Sequence, residues 1–163
     1  MNEPKKLIDT PSQTAGPFLH IGCTPRITGI NIFKSELGLI PFQDISDNEA
    51  INIKGKIYDG NDEPIIDAMI ETWQCDANGN YSSNQGFARI VTDFKTGEYQ
   101  LKTIRPGNEI NTDESLSASY ITFWIVARGM NRPLITRMYF LENDLENDLM
   151  LNSIKIEDRL NTL

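Results

Sequence analysis

A single histidine, His20, stands in the whole chain, together with two cysteines, Cys23 and Cys75. A metal centre that needs two imidazoles therefore cannot be assembled from this polypeptide alone. Structural zinc is disfavoured too, because His20, Cys23 and Cys75 lack the paired spacing such sites use. A Ser-His-Asp or Cys-His nucleophile would have to take His20 as its base. Cys23 lies where an extended chain would hold it away from the ring, and no GxSxG turn occurs. The imidazole is better read as a hydrogen-bonded structural residue. The two thiols form neither a CxxC pair nor a disulfide framework, and read as reduced and buried. Gly16 and Pro17 suit a tight turn. Arg128, on its own, reads as a strand-end arginine facing an acidic surface.

The elements that would position these groups are mostly strands. Residues 1–30 are rich in Pro, Gly, Thr and Ser and carry no sustained period, so they read as an ordered arm or loop. INIKGKIY, residues 51–58, alternates apolar and polar side chains like a strand with one buried face, and DGNDEP supplies turn chemistry. The expected product is a β-hairpin whose second strand is IIDAMIETWQCD, covered on both sides; a helix over that run is the open alternative. FARIVTDF, TGEYQLKTI and ASYITFWIVARG follow as strand candidates. Short strands at this spacing predict an all-β sandwich, with its core over residues 51–140. After LITRMYF the texture changes. Residues 141–163 are acidic, Leu-spaced and free of Gly and Pro, which predicts a helical tail of a turn or two. The repeated LEND is too short to signify a repeat architecture.

With 163 residues, 39% of them hydrophobic, the chain suits one domain over 1–163 rather than two. A net charge of -8 argues against a surface that tracks nucleic-acid phosphates. No run approaches the ~20 apolar residues of a bilayer span, and MNEPKKLIDT lacks the apolar centre of a signal peptide, so a cytoplasmic protein is expected.

The run TPSQTAGPFLHIG, Thr10 to Gly22, resembles the N-terminal signature of alpha-type subunits in the protocatechuate 3,4-dioxygenase family of intradiol ring-cleaving enzymes. Four more blocks match in the same order: IKGKIYDGNDEPIIDAMIETWQCDANGNY, GFARIVTDFKTGEYQLKTIRPG, ITFWIVARGMN and TRMYF. The resemblance runs to about Phe140, and more weakly through the LNSI segment near Asn152. It implies a β-sandwich paired with an iron-bearing beta-type subunit, whose ferric ion is held by two tyrosinates and two histidines. It also implies a reaction, opening of a catechol ring between its hydroxyl-bearing carbons with dioxygen to give a muconate, here a carboxy-cis,cis-muconate.

Against that ligand pattern, Tyr81 matches the first tyrosine, Glu109 stands where the second follows IRPG, and Tyr120 and Thr122 replace the His-x-His pair. Two phenols without an imidazole match the donor set poorly, so packed tyrosines and no metal in this chain are expected. The resemblance gives the chain a different role, lining the substrate pocket over the partner's iron. Thr14, Gly16, Pro17 and Phe18 match the arm that does this, and Arg128 matches a residue facing the substrate carboxylate. Phe18 departs from the tyrosine common at that point and lacks its hydroxyl. Family alpha subunits continue into further strands beyond the helical-looking stretch, so stronger dependence on a partner is expected here. A noncatalytic binding module on the same scaffold, and an iron-binding homodimer with unusual ligands, stand as rival readings.

Overall fold

The computed structural model describes residues 13–34, 38–46, 48–109, 117–140, 145 and 148–155. Its order is α1 (Pro17–Cys23), a 3-10 turn (Pro25–Thr28), β1 (Ala50–Lys56), β2 (Met69–Trp73), β3 (Phe87–Val91), β4 (Glu98–Ile104), β5 (Tyr120–Val126), β6 (Leu134–Tyr139) and α2 (Leu149–Ser153). β1 and β4 form one antiparallel pair, and the second sheet runs β3-β2-β5-β6, antiparallel throughout. The two sheets face each other as a sandwich. Leu101, with Ile53 and Tyr99 beside it, packs from the β1–β4 pair onto Ile70, Ala88, Ile90, Ile121, Phe123 and Ile125 of the larger sheet. Ile70 and Ile121 are fully buried, and each contributes about 1.5–3 kcal/mol by leaving water.

The expected β1–β2 hairpin is a correction. Its turn forms, with Asp59 Oδ1 accepting from the amides of Asn61 and Glu63, and Tyr58 bridges Pro64. Beyond Ile65, whose amide donates to Ile57 O, the two runs part into different sheets. Burial pattern explains the separation. β1 alternates with one half-buried face and finds β4, which alternates likewise, whereas β2 has buried residues on both faces, Met69 on one and Ile70 and Thr72 on the other, and takes a central place between β3 and β5. β2 is thus the strand expected, and the helical alternative falls.

The arm is the second correction, since it carries two helical turns where no period was evident. Pro17 opens α1 behind Gly16, a favourable first position because its missing N–H would be unpaired anyway. With a single buried side chain, His20, α1 is too short to write a periodic signature. Residues 1–12 of the expected arm lie outside the described residues. Within the acidic tail, α2 bears out a short helix, capped by Asp148, whose side chain accepts from the Leu151 amide; 141–144, 146–147 and 156–163 lie outside the described residues. Cys75 is buried as expected but Cys23 is only partly covered, and both thiols are free. Among the described residues, no helix is long and apolar enough to cross a membrane.

Candidate functional site

The outer face of the larger sheet gathers an aromatic and charged cluster at one end. Because side chains alternate along β5, Tyr120 and Thr122 point away from the core that receives Ile121 and Phe123. Trp73, Thr122 and Arg137 form one cross-strand row, with Tyr120 opposite Tyr139 beside it. Two loops deliver the remaining members. The Asp76–Asn80 turn leads into Tyr81, and Asp76 accepts from the amides of Gly79 and Gly107. Gly79 has φ +83°, and a methyl on Gly79 would collide with Asn108 O while one on Gly107 would collide with Ala77 O. This close approach sets Tyr81 and Glu109 on the same side. Gln74 stitches the loops further, donating to Ile104 O at 2.9 Å and accepting from Thr103 Oγ1 at 2.7 Å.

There Tyr81 donates to Tyr120 Oη at 3.2 Å, and Tyr120 donates to Glu109 Oε2 at 2.8 Å. Trp73 stacks on Tyr81 at 5.9 Å, and the Arg137 guanidinium lies over the Tyr120 ring at 3.9 Å. Burial pushes the Tyr120 phenol far above its ordinary range, reinforced by its bonds to Tyr81 and Glu109. Tyr81 is raised as well, first by burial.

The opposite end of β5 carries the arm. Ala15 makes a parallel bridge to Arg128, and Thr14 Oγ1 accepts from the Gly129 amide at 2.7 Å. Gly129 turns there with φ +90°. Gly16, Pro17 and Arg128 share a cleft of about 230 Å³ with His20, Asp67 and Phe94. Thr14, Gly16, Pro17, Phe18 and Arg128 are therefore brought together as a group, although Phe18 points outward and is 82% exposed. Arg128 is not free of an acid: its Nε and Nη2 both donate to Asp67 Oδ2, at 2.7 and 2.6 Å. His20 is buried and hydrogen-bonded, as the sequence suggested, through Asp67 O and Thr24 Oγ1.

A dioxygenase family model matches residues 38–161. The chain belongs to the dioxygenase family. Among curated dioxygenases it is 36% identical to the protocatechuate 3,4-dioxygenase alpha chain of Pseudomonas putida, over 96% of this chain and 83% of that one. Identity to the Burkholderia cepacia alpha chain is 30%, covering 94% and 81%. A beta chain from Burkholderia cepacia is 27% identical over 56% of this chain and 45% of its own length. Among solved dioxygenases, catechol 1,2-dioxygenase from Pseudomonas arvilla C-1 superposes with a TM-score of 0.56 at 20% identity, over 69% of this chain. The present chain spans only 41% of that protein. The dioxygenase domain of a carbohydrate-binding fusion from Streptomyces sp. SirexAA-E gives 0.57 at 18% identity, covering 83% and 78%. At these identities the superpositions establish the shared fold.

Tyr81, Glu109 and Tyr120, three of the positions that the resemblance aligns with ligands, meet at one end of the larger sheet with Thr122 beside them, and they offer no imidazole. The group is two phenols in series and one carboxylate that already receives a phenol. Arg137 supplies a cation against Tyr120, and Thr122, opposite it, offers no nitrogen. Among the described residues, no three His, Cys, Asp or Glu side chains are grouped to hold a metal. The sequence reading missed Asp67 and Arg137. An aspartate inside the apolar run IIDAMI was the available signal for the first; Arg137 lay in a matched block without any chemical motif.

Proposed function

We propose that the chain acts, as one intradiol-type domain, in the role of an iron-free alpha-type subunit that lines the substrate pocket of an iron-bearing beta-type dioxygenase partner. The likeness to two curated alpha chains over nearly the whole sequence carries this reading. The closed Tyr81–Tyr120–Glu109 chain beside Arg137 supports it from the chemistry, because nothing there supplies an imidazole. The reaction of the pair opens a catecholic acid such as protocatechuate between its hydroxyls, and both atoms of dioxygen enter the carboxy-cis,cis-muconate product. Ferric iron in the partner would bind the catecholate.

This chain's residues would enclose and orient. Thr14 fastens the arm to the end of β5, so that Gly16 and Pro17 present a stiff, closely approachable backbone. Phe18 would offer its exposed ring to the partner, with Ile32, Phe33 and Ile40, each more than half exposed, on the segment that follows. Arg128, 70% exposed along its side chain, would meet the substrate carboxylate.

The test is coexpression with a beta-type partner carrying both tyrosines and the HxH pair. The pair should carry about one ferric ion and cleave protocatechuate, while the purified chain alone should hold no stoichiometric iron and show no turnover. Iron bound at one equivalent by the isolated chain overturns the proposal.

A further inference from the structure

We propose that His20 and Asp67 are positioning residues that aim Arg128 across the arm cleft and so set selectivity for a carboxylated catechol. The inference rests on the reading of Arg128 as the group that meets the substrate carboxylate. It adds two residues to which neither the sequence reading nor the family likeness assigns that task.

His20 is 7% exposed, and a buried imidazole needs both nitrogens satisfied. Nε2 lies 3.0 Å from Asp67 O, and since a carbonyl only accepts, Nε2 carries the proton. Nδ1 faces Thr24 Oγ1 at 3.2 Å, and Phe94 meets the ring edge-on at 5.6 Å. The imidazole therefore pins α1 to the turn before β2. That turn is held from its other side as well: the Ala68 amide donates to Thr92 Oγ1 at 2.9 Å, and the Thr92 amide donates to Ala68 O at 3.0 Å. With its own carbonyl and the next peptide both fixed, Asp67 has little freedom in where it directs its carboxylate.

It directs it at Arg128, whose Nε and Nη2 share Asp67 Oδ2. The main chain of Arg128 is tied to the arm at Ala15, which leads back into α1. The contacts close a circuit, arm to helix to His20 to Asp67 to Arg128 and back to the arm, around the cleft. An arginine with a largely exposed side chain samples many rotamers unless something holds it. Here one edge of the guanidinium is anchored to Asp67, which presets the direction of its planar fork before a ligand arrives.

The experiment uses the assembled alpha–beta enzyme and reads KM for protocatechuate relative to KM for plain catechol. His20→Phe keeps a ring against Phe94 but deletes the donor to Asp67 O. His20→Gln restores an N–H donor. The expected result is a rise of about tenfold in the KM ratio for His20→Phe, the equivalent of one charge-assisted hydrogen bond mislaid, with kcat within about twofold and the ratio largely rescued in His20→Gln. Asp67→Asn, which leaves the carbonyl for His20 but weakens the hold on Arg128, should raise the ratio in the same direction and decides the matter if His20→Phe does not assemble. Arg128→Ala runs alongside. If Arg128→Ala leaves the ratio unchanged, the carboxylate role of Arg128 fails and the positioning role falls with it. If Arg128→Ala raises the ratio while both His20→Phe and Asp67→Asn match wild type, the positioning proposal alone is overturned. Equal effects of His20→Phe and His20→Gln, or a loss confined to kcat, also overturn it.

Discussion

Removing one hydroxyl, by Tyr120→Phe, tests whether the phenol–carboxylate chain at the end of β5 is a bonded unit or a set of neighbours. The Tyr120 side chain is 8% exposed, and its oxygen both accepts from Tyr81 and donates to Glu109. A hydrogen bond to a charged group contributes about 1.5–3 kcal/mol when shielded. Glu109 is half-buried, and Tyr81, 37% exposed, can turn its hydroxyl to water. Solvent access reduces the expected loss to about 1–2 kcal/mol. For a chain of this size that lowers Tm by roughly 3–6 °C. Urea unfolding followed by tryptophan fluorescence suits the measurement, since Trp73 stacks on Tyr81 and senses the cluster locally. A double-mutant cycle with Glu109→Gln should return a coupling of at least about 0.5 kcal/mol. Tyr58→Phe, at a 55% exposed tyrosine elsewhere, is the control and should change little. Strict additivity of Tyr120→Phe and Glu109→Gln would refute the bonded chain, and so would a Tyr120→Phe loss no larger than the control's.

Two further outcomes follow from burial. Thr72 points into the core between Ala88 and Phe123, and its Oγ1 has no partner among the described residues, so Thr72→Val should raise the urea midpoint by removing a desolvated hydroxyl, a gain on the order of 1 kcal/mol; a lower midpoint would mean the hydroxyl is satisfied. At alkaline pH, burial raises the phenols of Tyr99, Tyr120 and Tyr139 in the folded chain above their unfolded value of about 10, so their contribution is intact below that pH and is lost as pH rises toward the folded values. Stability should then fall as pH rises past that value, and tyrosinate absorbance beyond the share of the more exposed Tyr58 and Tyr81 should appear in step with unfolding; its full appearance in a still-folded chain would contradict this.

Strand identity was legible because alternation is a local property. INIKGKIY, FARIV and YITFWIV each write their buried face in their own residues. Partnership was not, because DGNDEP specifies a turn without saying how far the ladder beyond it runs. β1 and β2 leave that turn for different sheets, a choice made by which faces other strands can cover. The arm residues and Arg128 were named through the family likeness, and the structure places them side by side at one end of β5. Asp67 was not, because its importance lies in a contact with a residue far along the chain, and a lone carboxylate in an apolar strand does not name its partner.

The geometry of β5 also bears on the proposed need for a partner. Tyr120 and Arg128 are eight positions apart along one extended run, about 26 Å at the usual rise of a strand. The arm is fastened at the Arg128 end through Ala15 and Thr14, while Tyr81 and Glu109 gather at the Tyr120 end. The stretch from Thr14 to Pro17, held there, cannot reach the Tyr120 end without releasing both tethers. If the arm lines a metal pocket, the pocket must belong to another chain, whose own ligand end lies against this chain's Arg128 end. On that proposal the Tyr120 end of this chain would not have to hold iron, and a carboxylate and a guanidinium could stand there.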